Sequence, residues 1–371
     1  MTAAKSVEGL GIASAQGEEE RSDVVGMNGV TTTLTLDAMG GDHGPSVVVP
    51  AAVEALQRHA DLRLVLVGQE QAIAEHLAQL QAQETDRLTI RHCSQLVEMD
   101  ESPSIAMRNK RDSSMRVALD MVKAGEADGC VSAGNTGALM ATARYLLKTL
   151  PGIDRPAIMS TIPSKGGATH MLDLGANVDC KAEHLFQFAV MGAVVGEAVY
   201  GIQRPRVGLL NIGEEEIKGN DQVKRAAEML GTSEEINYIG YIEGGGIFSG
   251  EADIVVCDGF VGNVALKSSE GVASLISDYM RMEFRRNTFT RLAGLVALPV
   301  LKSLRRKIDP RQYNGASLLG LRAVAMKSHG SADSFSFGRA IDTAVVEARQ
   351  KVPGLINERI GGVLSGFRRK R

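Results

Sequence analysis

The stretch 171-MLDLGANVDCKAEHLFQF-188 decides the fold, because an apolar run stops at a polar corner and a helix begins on its far side. Met171, Leu172 and Leu174 read as the end of a buried strand, Gly175-Ala176-Asn177 as a tight turn, and Asp179 as the cap of the helix that follows. From Ala182 the apolar residues return at helical spacing: Leu185, Phe186, Ala189, Val190, Ala193 and Val194. Asp173, Asn177, Asp179, Lys181 and His184 therefore crowd one strand-to-helix junction, the place where open α/β sheets hold their ligands. Each also has an ordinary structural duty open to it: Asp179 caps, Lys181 is solvated, His184 packs.

The same alternation runs outward in both directions. Upstream, Thr31–Leu36 ends in a glycine-rich loop, Asp37 to Pro45, before a helix over 46–59; Ala127–Val131 ends in Ser132-Ala-Gly134-Asn135-Thr136-Gly137-Ala138 before another. Small residues there let a backbone approach closely, and the helix start favours an anion. The cationic run Met107 to Arg111 precedes a further helix. Downstream, strands at 206–212, 237–241, 253–257 and 318–327 alternate with helices, the last helix over 335–351 leading to a basic tail, 368–371. Three strand exits carry a Gly-Asn pair: Gly134-Asn135, Gly219-Asn220 and Gly262-Asn263. Their recurrence predicts one pocket wall of amide donors suited to an oxyanion. Strands and helices in this order predict an α/β fold, three layers α/β/α around a mainly parallel sheet, with the site along its carboxyl edge.

Two regions stand apart from that scheme. Residues 1–30 are rich in Gly, Ser, Ala and Glu without periodicity and predict a disordered N-terminal extension, with Met27 an alternative start and 31–371 the α/β catalytic unit. Residues 281–310 are basic at both ends and apolar between, with Leu292, Leu295, Val296, Leu298, Val300, Leu301 and Leu304 in the middle. Pro299 predicts a break there, hence a hairpin of two short amphipathic helices projecting from the catalytic unit. Such a pair lies in a membrane surface, binds an acidic partner or joins two copies of the chain.

Bulk properties narrow the function. Of 371 residues, 44% are hydrophobic and 23% charged, as in ordinary globular proteins, and a net charge of -3 argues against general nucleic-acid binding. The four cysteines are isolated, with no C-x-x-C pair, which suits a reducing compartment and no structural zinc. Neither a P-loop nor an H-E-x-x-H motif occurs, and no apolar run is long enough to span a membrane.

Taken together, LDAMGGDHGP (36–45), SAGNTGA (132–138), DLGANVDCKAEHLFQFA (173–189), NIGEEEIKGN (211–220), DGFVGNVALK (258–267) and NGASLLGL with KSHGSAD (314–333) closely resemble the bacterial phosphate acyltransferases of phospholipid synthesis. The motifs cover Thr33 to Asp333 in the family's order, with departures at Leu174, Val261 and Ala323 that leave the polar positions unchanged. The resemblance implies transfer of a fatty acyl group from acyl carrier protein to inorganic phosphate, without a cofactor. It also implies the fold of isopropylmalate/isocitrate dehydrogenases and phosphate acetyltransferases, a homodimer, and a cytoplasmic protein held peripherally at the inner face of the membrane. There it would meet the downstream glycerol-3-phosphate acyltransferase.

That chemistry asks for a phosphate pocket, oxyanion donors and room for an acyl chain more than for a strong base. Phosphate already carries unprotonated oxygens at neutral pH, and a thiol of pKa about 8.5 leaves readily. The candidates are Gly134, Asn135, Thr136 and Gly137 for phosphate, Lys181 for positive charge, and Asn177, Lys218, Asn220, Asn263 and Asn314 as further donors. His184 and His329 are the candidates for proton handling at sulfur, and Asp179 for orienting Lys181. Arg285, Arg286, Leu295, Val296, Leu301, Arg305 and Arg306 form the expected membrane or carrier-protein surface; no metal site is expected. A phosphate acetyltransferase using coenzyme A, a dehydrogenase of the isopropylmalate type and an inactive membrane-peripheral scaffold are the rival readings. The dehydrogenase would need a metal-binding Asp cluster and a dinucleotide fingerprint, and the sequence offers no G-x-G-x-x-G.

Overall fold

In the computed structural model the described residues are 31–369, excepting the side chains of 305, 306, 308 and 364–369. The expectation placed on 1–30 lies outside them, as do the side chains of Arg305 and Arg306.

Strands and helices alternate from the start. The order is β1 (Thr32–Asp37), α1 (Pro45–Arg58), β2 (Leu62–Gly68), α2 (Glu70–Gln79), β3 (Leu88–His92), α3 (Pro103–Asn109), α4 (Ser114–Ala124), β4 (Gly129–Ser132) and α5 (Thr136–Leu147). There follow β5 (Ala157–Ser164), β6 (Gly167–Leu172), α6 (Ala182–Ala198), β7 (Val207–Leu210), α7 (Asp221–Gly231), β8 (Tyr238–Ile242), α8 (Gly246–Ser249) and β9 (Ile254–Val256). The chain ends with α9 (Gly259–Arg285), α10 (Thr288–Ile308), β10 (Ala316–Leu319), β11 (Val324–Lys327), α11 (Ser334–Arg349) and α12 (Val352–Arg369).

All eleven strands among the described residues lie in one sheet, in the order β3-β2-β1-β4-β11-β10-β5-β6-β9-β7-β8. Most neighbours are parallel, but β11–β10, β10–β5 and β5–β6 are antiparallel. Three reversals in a row turn the second half of the sheet over. The strands β1, β4 and β11 point one way, and β6, β9 and β7 the other. The molecule therefore has two carboxyl edges on opposite sides of a three-layer α/β/α sandwich, where the sequence predicted one.

Both halves bury continuous apolar strands on two faces, as a parallel sheet requires. Leu34, Leu36 and Leu66 pack with Val49 and Ala52 of α1 and with Phe337, Ile341 and Val345 of α11. Met115 and Leu119 of α4 and Leu139 and Leu146 of α5 cover the opposite face. In the second half, α6 is apolar nearly all round, because β6 and β9, α7 and α12 enclose it; Phe188, Val190 and Met191 are fully buried.

Three sequence expectations need correction. The run 318–327 is two strands, turned at Gly320, whose positive φ of 87° suits the only residue without a Cβ. The last helix is followed by another, α12, whose Val352, Ile356, Ile360 and Val363 close the core over α6. The helix expected to break at Pro299 continues through it, as α10 from Thr288 to Ile308. On an exposed helix the carbonyl freed by proline is left to water, and the break falls instead at Asn287. There Asn287 Oδ1 accepts from the Thr290 N–H at 2.9 Å and Thr290 Oγ1 accepts from the Asn287 N–H at 3.1 Å, a reciprocal cap. α10 folds back on α9, with Gly294 against the Phe284 ring. No helix among the described residues is long and apolar enough to cross a membrane.

Candidate active site

From β1 the chain builds β2 and β3 on one side and then crosses to lay β4 on the other, so the carboxyl ends of β1 and β4 flank a topological switch point. Open α/β sheets bind ligands in that crevice, since the loops leave in opposite directions and part there. β11 adds its exit next to β4, and Asn314 lies on the same edge because β10 runs back from it.

A buried charged centre ties these exits together. Asp37 ends β1 with 1% exposure; its Oδ2 accepts from Ser132 Oγ at 2.6 Å, and Ser132 Oγ accepts the Gly134 N–H at 3.0 Å. Asp37 Oδ1 is buried without a hydrogen-bond partner. Burial raises the Asp37 carboxyl above the ordinary carboxylate range, against the pull of Ser114, Ser132 and the Met39 and Gly40 backbone. Lys327, 8% exposed at the end of β11, donates from Nζ to Ala133 O at 3.2 Å and to Ser328 O. Burial lowers its ammonium to about 8, with Asp37 and Asp42 holding it up. The glycine loops must lie close over this centre: a Cβ on Gly40 would stand 2.5 Å from Asp37 Oδ2 and 2.8 Å from the Gly134 nitrogen.

Above the centre α5 begins. Asn135 is its N-cap, with Oδ1 accepting from the Ala138 N–H at 3.0 Å. Its amide donates to the Met99 and Glu101 carbonyls at 2.9 Å each, which straps the 98–101 loop to the corner. Glu101 in turn holds Lys110 of the cationic run at 2.5 Å. The Gly134 N–H and the Asn135 side-chain amide are thus engaged within the protein, and the first-turn residues left exposed are Thr136 and Gly137. Asn314 donates to Ser328 Oγ at 2.8 Å and to Ser336 O at 2.7 Å, and accepts the His329 N–H at 2.9 Å. His329 is exposed beside them. Its Nδ1 accepts from the Ser331 N–H at 3.3 Å, so the neutral ring carries its proton on Nε2.

The opposite edge holds the corner at 173–184. Asp173 is fully buried; its carboxylate accepts from the Ile158, Ala176 and Asn177 N–H groups and from Asn177 Nδ2, all within 3.1 Å. Asn177 also donates to Pro156 O at 2.7 Å and accepts the Gly259 N–H at 2.7 Å, joining β5 to the start of α9. Contrary to expectation Asp179 is not the cap of α6. Lys181 occupies that position, and its N–H donates to His184 Nδ1 at 3.1 Å. His184 is therefore turned inward, 5% exposed, with Nε2 3.9 Å from Asp154 Oδ2; burial lowers its pKa, which keeps it neutral. Asp179 offers its carbonyl to Arg155 at 3.2 Å, and the Lys181 side chain is exposed. Burial pushes the neighbouring Cys180 thiol up to about 12, so it is no ready nucleophile.

Asn220 caps α7 through Val223 N–H at 2.9 Å, Lys218 pairs with Glu215 at 2.8 Å, and Asn263 stands over Gly175. The structure thus gathers Asn177, Asp179, Lys181, His184, Lys218, Asn220 and Asn263 on one edge, and Gly134, Asn135, Thr136, Gly137, Asn314 and His329 on the other. The three Gly-Asn exits do not form one wall. With four strand steps between β4 and β6, the two corners of one chain stand roughly 20–25 Å apart.

Sequence reading overlooked Asp37, Ser132, Lys327 and Ser328. A signal existed, since Lys327 is a lone charge closing an apolar run and Asp37 closes the first strand. On α9 and α10, Leu295 and Val296 are 63% and 77% exposed, Leu301 is half-buried, Arg285 is exposed and Arg286 pairs with Glu283 at 3.2 Å. No group of three His, Cys, Asp or Glu side chains poised for a metal occurs among the described residues.

Comparison with known proteins places this geometry. The family described as fatty acid synthesis protein matches residues 32–354. A phosphate acyltransferase of Halorhodospira halophila is 77% identical over 332 residues, 90% of this chain and 97% of that one. One from Alkalilimnicola ehrlichii is 68% identical over 335 residues, covering 90% and 98%. Among solved structures, a phosphotransacetylase from Streptococcus pyogenes shares the fold, with a TM-score of 0.60 at 18% identity over 86% of this chain and 95% of that one. A glycine-lined corner at a switch point, on that fold, in a sequence this close to its relatives, leads to one statement: the chain belongs to the fatty acid synthesis protein family, among its phosphate acyltransferases, and is an acyl-group transferase.

Proposed function

We propose that the chain moves a fatty acyl group from acyl carrier protein to inorganic phosphate, giving an acyl phosphate for glycerophospholipid synthesis. The observation that carries this reading is the open first turn of α5 at the β1/β4 switch point, with the buried Lys327 beneath it. Thr136 and Gly137 N–H groups and the Thr136 hydroxyl hold phosphate; Asn135, Gly134 and Asn314 hold the loops that present them. A phosphate oxygen attacks the thioester carbonyl carbon, the tetrahedral intermediate collapses, the C–S bond breaks, and the departing thiolate takes the proton that the hydrogen phosphate gives up, while the Nε2–H of His329 donates a hydrogen bond to the sulfur. Positioning and electrostatics supply most of the rate, on the order of 10²–10³ for each oxyanion donor.

Lys181, with Asn177, Asp179, His184, Lys218, Asn220 and Asn263 around it, serves the same phosphate only from a second copy, because one chain holds the two corners apart. A homodimer supplies that copy. Mixing Lys181→Ala with Lys327→Met subunits then restores turnover that each lacks alone; two dead variants that stay dead when mixed remove the Lys181 corner from the reaction. The exposed apolar faces of α9 and α10, edged by arginines, suit peripheral contact with an anionic membrane, where the next acyltransferase would collect the product.

The deciding assay follows thiol release from acylated carrier protein with and without phosphate, together with hydroxylamine-trappable acyl product. Release that ignores phosphate defeats the assignment.

A further inference from the structure

At the far end of α5 from the phosphate corner lies an open cavity of about 590 Å³ lined by Ala141, Arg144, Tyr145, Lys148, Thr149 and Arg322. Three of these, at 141, 144 and 145, belong to one stripe of α5, with Lys148 following as its C-cap, and continuing that stripe back one turn reaches Gly137. The phosphate end and the cavity are thus two ends of one exposed helical face, about 18 Å apart at 1.5 Å per residue over twelve residues. Gly137 leaves room on that face for Pro103 of α3, whose Cγ would stand 2.8 Å from a Cβ there, and Ala141 is half-buried, so the track between the ends is narrow and runs beside α3.

The cavity is cationic around an aromatic. Tyr145 is 53% exposed, with Lys148 Nζ 4.8 Å and the Arg116 guanidinium 5.5 Å from its ring centre. Arg116 is paired with Asp120 at 2.9 Å, and Arg322 Nε donates to Thr149 O at 3.1 Å. Arg144 and Lys148 are exposed at the rim. This stable arrangement of cations about an amphipathic ring has no part in the phosphate corner. It has the composition of an interface hot spot for an acidic surface, arginine and tyrosine at the centre with lysine at the margin.

We infer that this cavity is the docking site of the acidic carrier protein, whose thioester-bearing arm lies along the Gly137–Ala141 face of α5 and delivers the acyl carbonyl to the phosphate at Thr136 and Gly137. The inference rests on the proposed acyl transfer and gives its donor a place distinct from α9 and α10. A carrier seated at the C-terminal end of α5 has its arm directed toward the helix start, where the phosphate waits.

The test is the double variant Arg144→Glu/Lys148→Glu in the full-length enzyme, assayed with acylated carrier protein and, in parallel, with the acyl N-acetylcysteamine thioester, which has no carrier. Docking here raises the KM for acylated carrier at least tenfold and flattens its salt dependence, while the KM for phosphate and turnover of the small thioester stay as in the wild type. Both residues are exposed, so the melting temperature also stays in place; Arg144→Gln/Lys148→Gln gives a smaller shift in the same direction. A wild-type KM for acylated carrier in the double variant overturns the proposal, as does an equal loss with both donors. If instead the wild-type enzyme transfers from neither donor to phosphate, it is the acyl-transfer reading that falls.

Discussion

The two carboxyl edges of the sheet are built on the same plan and differ in one respect. At each, a buried aspartate ends a strand, Asp37 after β1 and Asp173 after β6, and glycines from a neighbouring loop lie against it. Asp173 is saturated with four N–H donors, and the positive charge of its corner, Lys181, is left outside in solvent. Asp37 has one oxygen bonded to Ser132 and the other orphaned, and the positive charge of its corner, Lys327, is inside the protein. A carboxylate that fastens a turn needs its acceptors filled. One that sits in the field of a buried ammonium gains from charge what it lacks in hydrogen bonds. The Asp173 corner is therefore a fastener that displays a solvated cation. The Asp37 corner is a charged floor beneath exposed backbone donors.

The sharpest way to break the contrast is isosteric. Asp173→Asn turns an NH₂ toward N–H groups that had an oxygen, and leaving about two buried donors unsatisfied costs roughly 2–4 kcal/mol in urea unfolding. Asp37→Asn keeps the acceptor for Ser132 but removes the charge that faces the buried Lys327 ammonium, so its cost follows that charge and shrinks as pH rises through about 8, which the Asp173→Asn cost does not. Costs with the same pH dependence at the two sites would erase the distinction.

Next in size is Lys327→Met. Removing the ammonium lowers phosphate-dependent turnover on the order of 10²-fold, read as kcat, while the fold survives, because a buried charge replaced by a methionine stem is often neutral for stability. Its pH behaviour has a definite sign. With the folded value near 8 and the ordinary value at 10.5, the folded chain holds fewer protons than the unfolded one between these limits. Lys327 therefore makes stability rise with pH from about 8 to 10.5 and leaves it flat below 8, and its charge leaves the site above pH 8. The basic limb of turnover near pH 8 and the alkaline rise in urea midpoint should both vanish in Lys327→Met.

Smaller effects separate the Gly-Asn exits. Asn135→Ala removes a cap and the strap to the 98–101 loop and costs about 2 kcal/mol; Asn220→Ala removes a cap alone on α7 and costs about 1 kcal/mol. Thermal melts of the two variants compare them directly. The smallest change is at the projecting helices. Leu295→Ser with Val296→Ser shifts stability by no more than about 0.5 kcal/mol, since both side chains already face solvent. Binding to anionic vesicles nonetheless falls, and vesicle co-sedimentation measures it; unchanged binding would leave those apolar faces without a lipid role.

Much of this was legible in the residues. Helical spacing after Ala182, glycine after each strand and the alternation of elements gave the layers, the helix starts and the polar corners, because those are local properties of three to ten residues. The break at Asn287 is equally local, since Asn287 and Thr290 stand at the spacing of a reciprocal cap, whereas Pro299 costs an exposed helix only one backbone hydrogen bond and does not end it.

What the sequence by itself determined is the inventory: an α/β chain of the phosphate acyltransferases, with glycine and asparagine corners at strand ends and a basic, apolar helix pair. What only the tertiary structure decided is which corners face the same way. Three antiparallel pairings, set by long-range register between β11, β10, β5 and β6, reverse half of the sheet. Strand direction leaves no mark on a strand's own sequence, since buried strands of either sense carry the same apolar residues. The same holds for Asp37 and Lys327, 290 residues apart in the chain. They are ordinary charged residues in the sequence, and only burial at the ends of two strands separated by β4 alone makes them a pair.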